Sequence, residues 1–92
     1  MNLYIVKCED GKFYTGVTNN LQRRLNEHNI GICKTSYTYN RRPVVLVFST
    51  FFNDPNDAII AEKQIKGWNK AKKEALIDGD FEELIKLSSV RK

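Results

Sequence analysis

The sequence predicts an α/β (α+β) domain: a small three-stranded antiparallel sheet flanked by helices, in the order β-β-α-β-α-α-α. Three observations predict it. Two short apolar runs, Leu3 to Cys8 and Phe13 to Thr18, flank a glycine-containing turn. A third run, Val44 to Phe51, follows Pro43 and is the most apolar stretch in the chain. The other segments open on residues that cap helices: Asn19 or Asn20, Asp54 and Asp80.

The first two runs form a hairpin whose loop length decides which side chains share a face. A two-residue Asp10-Gly11 turn would put Tyr4 and Tyr14 on opposite faces. A three-residue Glu9-Asp10-Gly11 loop, with Gly11 left-handed, pairs Tyr4 with Gly16 and Val6 with Tyr14, so both tyrosines share one face. The second register is the expected one. A helix from about Leu21 to His28 follows, ending near Asn29 to Gly31. Residues from Ile32 to Arg42 show no period and read as a polar, basic loop. Val44 to Phe51, by its apolarity, is the expected buried strand. Asp54 before Pro55 starts the next helix, since proline suits the first helical position. That helix carries Ala58, Ile59, Ala61, Ile65 and Trp68 and breaks near Gly67. Lys70 to Ile77 is a further helix, stopped by Asp78-Gly79. Asp80 with Glu83 makes a capping box for a last helix, Phe81 to Leu87.

Ninety-two residues are one domain's worth of chain, 1–92, with a motif-bearing core over about 2–77. Hydrophobic residues at 41% and charged ones at 28% place it among folded domains rather than disordered tails. No apolar run nears the roughly 20 residues of a membrane span, and no basic n-region precedes the first one. A cytoplasmic protein with no membrane partner is the expectation. Cys8 and Cys33 lack the number and spacing of a zinc site, and His28 is the only histidine. A net charge of +4 suits an anionic partner.

Arg24 and His28, four residues apart, project from one helix face, with Arg23 and Glu27 beside them. On spacing alone, a solvated helix face is the default reading. Glu62 sits among apolar neighbours and is the only acid between Asp57 and Glu74; a surface carboxylate is the plain alternative. Lys63, Lys66, Lys70, Lys72 and Lys73 form an acid-free basic stretch, while Lys34, Arg41 and Arg42 interleave with Tyr37 and Tyr39. Cations neutralise phosphates and aromatic rings stack on bases, so this mixture suits nucleic acid.

Taken together, Leu3-Tyr4-Ile5, Tyr14-Thr15-Gly16-Val17-Thr18, Asn20-Leu21-Gln22-Arg23-Arg24, His28 and Ala58-x-x-x-Glu62-x-x-Ile65-Lys66-x-Trp68 resemble the GIY-YIG nuclease family, in particular its small stand-alone bacterial UPF0213-like members. The resemblance runs from Asn2 to about Ile77. It implies a metal-dependent endonuclease hydrolysing phosphodiester bonds in DNA, including structured or damaged DNA, with one divalent ion, Mg²⁺ or Mn²⁺. By motif position it assigns catalytic parts to Tyr4, Tyr14, Arg24 and His28, and metal binding to Glu62. Gly16 is the structural glycine at the site. Lys34, Tyr37, Arg41, Arg42, Lys63, Lys66 and Lys70 are the expected nucleic-acid contacts.

The chemistry is reasonable on its own terms. Mg²⁺ often needs only one or two carboxylates plus water and phosphate oxygens, which Glu62 would satisfy. Arg24 offers a planar donor fork for phosphate. A phenol helped by cations can take a proton from water, and Tyr4 is favoured for this with Tyr14 orienting it. Both namesake triplets are degenerate, Asn2-Leu3-Tyr4 and Tyr14-Thr15-Gly16, though each keeps its tyrosine. No asparagine follows Glu62 at the family's spacing, Asn69 being the nearest candidate. With no separate recognition domain visible, weak binding or a targeting protein partner is expected. A binding module with the same fold and no turnover is the alternative function.

Overall fold

The computed structural model describes residues 1–31 and 38–89. Its elements are β1 (Asn2–Lys7), β2 (Phe13–Thr18), α1 (Leu21–Ile30), a short 3-10 turn (Tyr39–Arg41), β3 (Val45–Phe51), α2 (Pro55–Lys66), α3 (Lys70–Asp78) and α4 (Phe81–Ser89). The strands form one antiparallel sheet in the order β2-β1-β3. No helix among the described residues is long and apolar enough to cross a membrane.

The hairpin adopts the three-residue loop. Cys8 and Lys12 close it through a 2.8 Å backbone hydrogen bond, and Gly11 sits at φ 85°. Tyr4 therefore opposes Gly16 and Val6 opposes Tyr14, which puts both tyrosines on one face. Each helix starts where a side-chain oxygen accepts an otherwise unpaired amide. Asn20 Oδ1 accepts from Arg23 N at 3.0 Å, Asp54 Oδ1 from Asn56 N at 2.9 Å, Asn69 Oδ1 from Lys72 N at 2.9 Å, and Asp80 Oδ1 from Glu83 N at 3.1 Å. α1 runs to Ile30, two residues further than its periodicity suggested, and stops at Gly31 in the left-handed conformation.

One expectation is corrected. The most apolar run is not the most buried strand: β3 lies at the sheet edge, with Val45 61% and Phe51 63% exposed. β1 is paired on both sides and covered on both faces, so Leu3, Tyr4, Ile5 and Val6 are fully buried. Position in the sheet, more than composition, sets burial.

The sheet separates two clusters. On the α1 face Tyr4, Val6, Cys8 and Val44 pack with Tyr14, Leu21, Leu25 and Leu46. On the other face Leu3, Ile5 and Ile65 pack with Phe13, Phe48, Trp68 and Leu76. A β-bulge reconciles β3 with both. Ile5 opposes Phe48 but Val6 opposes Leu46, so Val47 is the extra residue. Without the bulge Leu46 and Phe48, two apart, would share a face; with it each reaches a different cluster.

Candidate active site

The hairpin register makes the core of the site. Tyr4 projects from the central strand, and its ring lies directly over Gly16 on β2. A Cβ there would meet the Tyr4 hydroxyl oxygen at 2.6 Å and its ring at 2.8 Å. Glycine is required because the phenol occupies the space of a side chain. Tyr14, half-buried, stands beside it with ring centroids 6.4 Å apart.

α1 supplies the next layer. His28 is its one buried residue, and its Nε2 is hydrogen-bonded to the Tyr4 hydroxyl at 2.9 Å. Its Nδ1 is hydrogen-bonded to the hydroxyl of Thr38, itself buried, at 2.8 Å. The imidazole also packs edge-on against both phenols, at 5.9 Å from Tyr4 and 5.4 Å from Tyr14. Burial, and secondarily the Arg24 charge, holds His28 below its ordinary pKa of 6.5, so the ring is neutral at pH 7. One nitrogen then donates and the other accepts.

Arg24, one turn earlier on α1, is partly exposed and held by Glu27, Nε to Oε1 3.3 Å. It also acts on the Tyr4 phenol. Burial and the neighbouring Tyr14 push Tyr4 up to about 12, against a downward pull from the Arg24 charge and hydrogen bond. Glu62 on α2 adds a smaller upward push on the same phenol.

Glu62 is largely shielded, with its side chain 15% exposed, and its Oε2 lies 2.7 Å from the Lys66 ammonium. That ammonium in turn lies 5.6 Å from the centre of the Tyr14 ring. Through Lys66 the carboxylate is joined to the phenol and imidazole cluster. The five side chains Tyr4, Tyr14, Arg24, His28 and Glu62 thus meet along the β2 edge of the sheet, between α1 and α2.

The donor set suits a hard divalent cation held mostly by water and phosphate. Among the described residues no three of His, Cys, Asp and Glu gather as a protein-only metal cage. Glu62 already coordinates a positive charge, the Lys66 ammonium, and its Oε1 is not committed to an ion pair. One shielded carboxylate is compatible with Mg²⁺ or Mn²⁺ completing its shell with water and substrate.

The other expected contacts scatter. Lys34 and Tyr37 lie outside the described residues. Arg41 is at the hairpin turn, its Nε 3.0 Å from Asp10 Oδ2. Arg42 stacks over Tyr39 at 4.4 Å, and its Nε and Nη1 donate to the carbonyls of Tyr39 and Ile30. It thereby fastens the end of α1 to the following turn, an architectural part. Lys63 is exposed on α2, and Lys70 opens α3 beside the hairpin turn. Asn69 caps α3 and does not join the cluster's hydrogen bonds.

Two participants were not legible in the sequence. Thr38 lies in a stretch without periodicity, and nothing marked it as the partner of His28. Asn29 was read only as a helix end. Its side-chain amide accepts from Val44 N at 2.8 Å and donates to Val44 O at 3.2 Å, pinning α1 to the start of β3. Lys66 was legible as part of a basic stretch; its i,i+4 spacing from Glu62 was the unused signal.

Residues 1–75 match the model of the GIY-YIG catalytic domain. A UPF0213 protein of Staphylococcus haemolyticus is 41% identical over 76 residues, covering 83% of this chain and 92% of that one. A UPF0213 protein of Halobacterium salinarum is 41% identical over 75 residues, covering 82% and 96%. The solution structure of a UPF0213 protein from Bacillus halodurans superposes with a TM-score of 0.55 at 36% identity, over 96% of this chain and 98% of that one. A solution structure of an E. faecalis protein gives a TM-score of 0.60 at 33% identity, over 87% and 84%. The chain therefore belongs to the GIY-YIG nuclease family and is similar to its short UPF0213 proteins.

Proposed function

We propose that the protein is a divalent-metal-dependent endonuclease that hydrolyses phosphodiester bonds in DNA. The observation that carries this reading is the meeting of two phenols, a neutral imidazole, an arginine and one shielded carboxylate at a single sheet edge.

In this reading a water oxygen attacks phosphorus and the bond to the leaving oxygen breaks. Tyr14 is the phenol placed against the attacking water, reversing the parts that the sequence favoured. Tyr4 is fully buried and pushed up to about 12, whereas Tyr14 is half-buried with Lys66 over its ring. A general base must touch the proton it takes, which favours the phenol that is not fully buried. Tyr4 is a positioning residue. Its hydroxyl is hydrogen-bonded to Nε2 of His28, whose Nδ1 is hydrogen-bonded to the Thr38 hydroxyl, the neutral ring donating through one nitrogen and accepting through the other. That chain fixes the imidazole edge against Tyr14. Arg24 neutralises charge building on the phosphate oxygens. Glu62 would hold the metal ion, which supplies polarisation of the phosphate and stabilisation of the leaving oxygen.

Purified protein with Mg²⁺ or Mn²⁺ is expected to nick plasmid or branched DNA, and both EDTA and Glu62→Ala to stop it. Cleavage that survives Glu62→Ala overturns the reading. The ion pair between Lys66 and Glu62 favours one second reading: the carboxylate is satisfied without metal, as in a binding module with no turnover. In that case DNA is bound with steep salt dependence, no substrate is cut, and Mn²⁺ leaves the Glu62 amide signal unbroadened in NMR spectra.

A further inference from the structure

A groove of about 310 Å³ lies at the tip of the hairpin, lined by Asp10, Gly11, Lys12, Phe13, Lys70 and Lys73. Three lysines line it, Lys12 from the turn of the hairpin and Lys70 and Lys73 from the first turn of α3. No ion pair among the described residues ties any of the three to a carboxylate. The one acid in the wall is already committed. Asp10 Oδ2 takes the Arg41 guanidinium at 3.0 Å, and Oδ1 accepts from Lys12 N at 3.1 Å. The positive end of the α3 dipole adds to the lysines. Burial pulls Lys73 below the ordinary lysine pKa, the sign of an ammonium losing water with no counter-charge to replace it.

The groove's place relative to the catalytic cluster gives it meaning. Phe13, in its wall, adjoins Tyr14 on β2, the outer strand of the sheet. Lys66, over the Tyr14 ring, ends α2, and Lys70 begins α3 four residues later. The two sites adjoin along the chain, Phe13 turning to the opposite face of the sheet from Tyr14. Compact ammonium charges without an arginine fork suit a phosphate whose oxygens are shared among several donors.

We propose that this groove holds a second backbone phosphate of the nucleic-acid strand, within a few nucleotides of the phosphate that is cleaved. The proposal rests on the nuclease reading for the identity of the strand. Lys12, outside the basic stretch that the sequence marked, becomes a contact alongside Lys70 and Lys73.

The test is fluorescence anisotropy of the full chain on a labelled short DNA duplex, in EDTA so that nothing is cut, between about 50 and about 200 mM salt. Lys70→Gln and Lys73→Gln are each expected to weaken binding several-fold. The double variant should lower the slope of log affinity against log salt by about 1, the loss of one phosphate contact. Lys86→Gln on α4, which removes the same charge elsewhere, should change affinity less than twofold. If the groove variants weaken binding no more than Lys86→Gln, the proposal is overturned, while Mg²⁺-dependent cleavage by the same variants would leave the nuclease reading standing. If they weaken binding but the wild type cuts nothing, the groove stands and the nuclease reading falls. Inorganic phosphate separates the sources of the anion. Weak shifts of the Gly11 to Phe13 amides, reversed by duplex, fit a strand site. Tight saturation by phosphate that duplex does not displace overturns it in favour of a free anion.

Discussion

The two faces of one central strand do different jobs. Leu3 and Ile5 of β1 point into a cluster of aliphatic and aromatic side chains under α2 and α3. Tyr4, between them in sequence and equally buried, points the other way, into a hydrogen-bonded chain with His28 and Thr38. The first face is stabilised by apolar burial, which is non-directional and tolerates similar shapes. The second depends on donors and acceptors in fixed places, since each buried polar group left unpaired costs about 1–3 kcal/mol. One face therefore stabilises the fold, and the other gathers the polar groups of the candidate site at its edge.

Two substitutions should separate these roles most widely. Ile5→Ala removes a fully buried side chain and is expected to cost about 2–5 kcal/mol in chemical denaturation. Activity measured well below the unfolding midpoint should stay within a few-fold. Arg24→Ala should do the reverse. Its side chain is 41% exposed and makes one ion pair, so stability should shift by less than about 1 kcal/mol. Turnover should fall by about 10²–10³, the loss of a donor aimed at developing charge. If both variants lose stability alike, the division between the faces is wrong.

Gly16→Ala sharpens the comparison because it acts where the faces are linked. A methyl group there would lie 2.6 Å from the Tyr4 oxygen, so the ring must tilt away from His28. Overpacking of this kind costs about 1–3 kcal/mol. Turnover should fall as well, unlike in Ile5→Ala, and crystallography or ring NOEs would show the Tyr4–His28 bond lengthened. An unchanged Tyr4 position would mean that the backbone absorbs the methyl group.

The alkaline limb is a smaller effect and follows from the same burial. The Tyr4 phenol ionises near 10 when unfolded and near 12 when folded. A group whose folded pKa is raised contributes stability that is complete below pH 10 and is lost as pH climbs through 12. Two units correspond to roughly 2–3 kcal/mol. Tyr4→Phe should flatten denaturation midpoints over that range.

How much of this was legible from residues alone divides along the same line. Capping residues, the three-residue turn and the left-handed Gly11 are local, and local chemistry fixed the hairpin register that unites Tyr4 with Tyr14. The motif spacing named five side chains that the fold then brings together. What local chemistry does not encode is which strand ends in the middle. Val45 and Phe51 are as apolar as anything in β1, yet they lie at an edge because pairing order is a tertiary property. Thr38 was invisible for a similar reason. A hydroxyl in an aperiodic segment has no sequence signature until a histidine ten residues away is buried against it. Nor did the basic pattern signal that the donors of Arg42 go to backbone carbonyls of its own neighbourhood.

The smallest expected effect is also the cleanest, because the chain has one histidine. His28 faces Tyr4, Tyr14 and Thr38, all uncharged at neutral pH, with Arg24 and Glu27 as the charged groups acting on it. Burial and then Arg24 lower its pKa, while Glu27 raises it by less. Its folded pKa therefore lies below the unfolded 6.5, and below pH 6.5 the unfolded state binds the extra proton. Stability is complete above that value and falls as pH drops toward the folded pKa. Carboxylates titrate near 4, so denaturation between pH 7.5 and about 5 isolates this one ring. The wild type should lose stability across that window. His28→Gln should be less stable at pH 7.5, having lost buried hydrogen bonds, but should show almost no slope. A slope that persists in His28→Gln would place the acid sensitivity on a carboxylate, and the buried Tyr4–His28–Thr38 chain would then not be what distinguishes the catalytic face from its apolar counterpart.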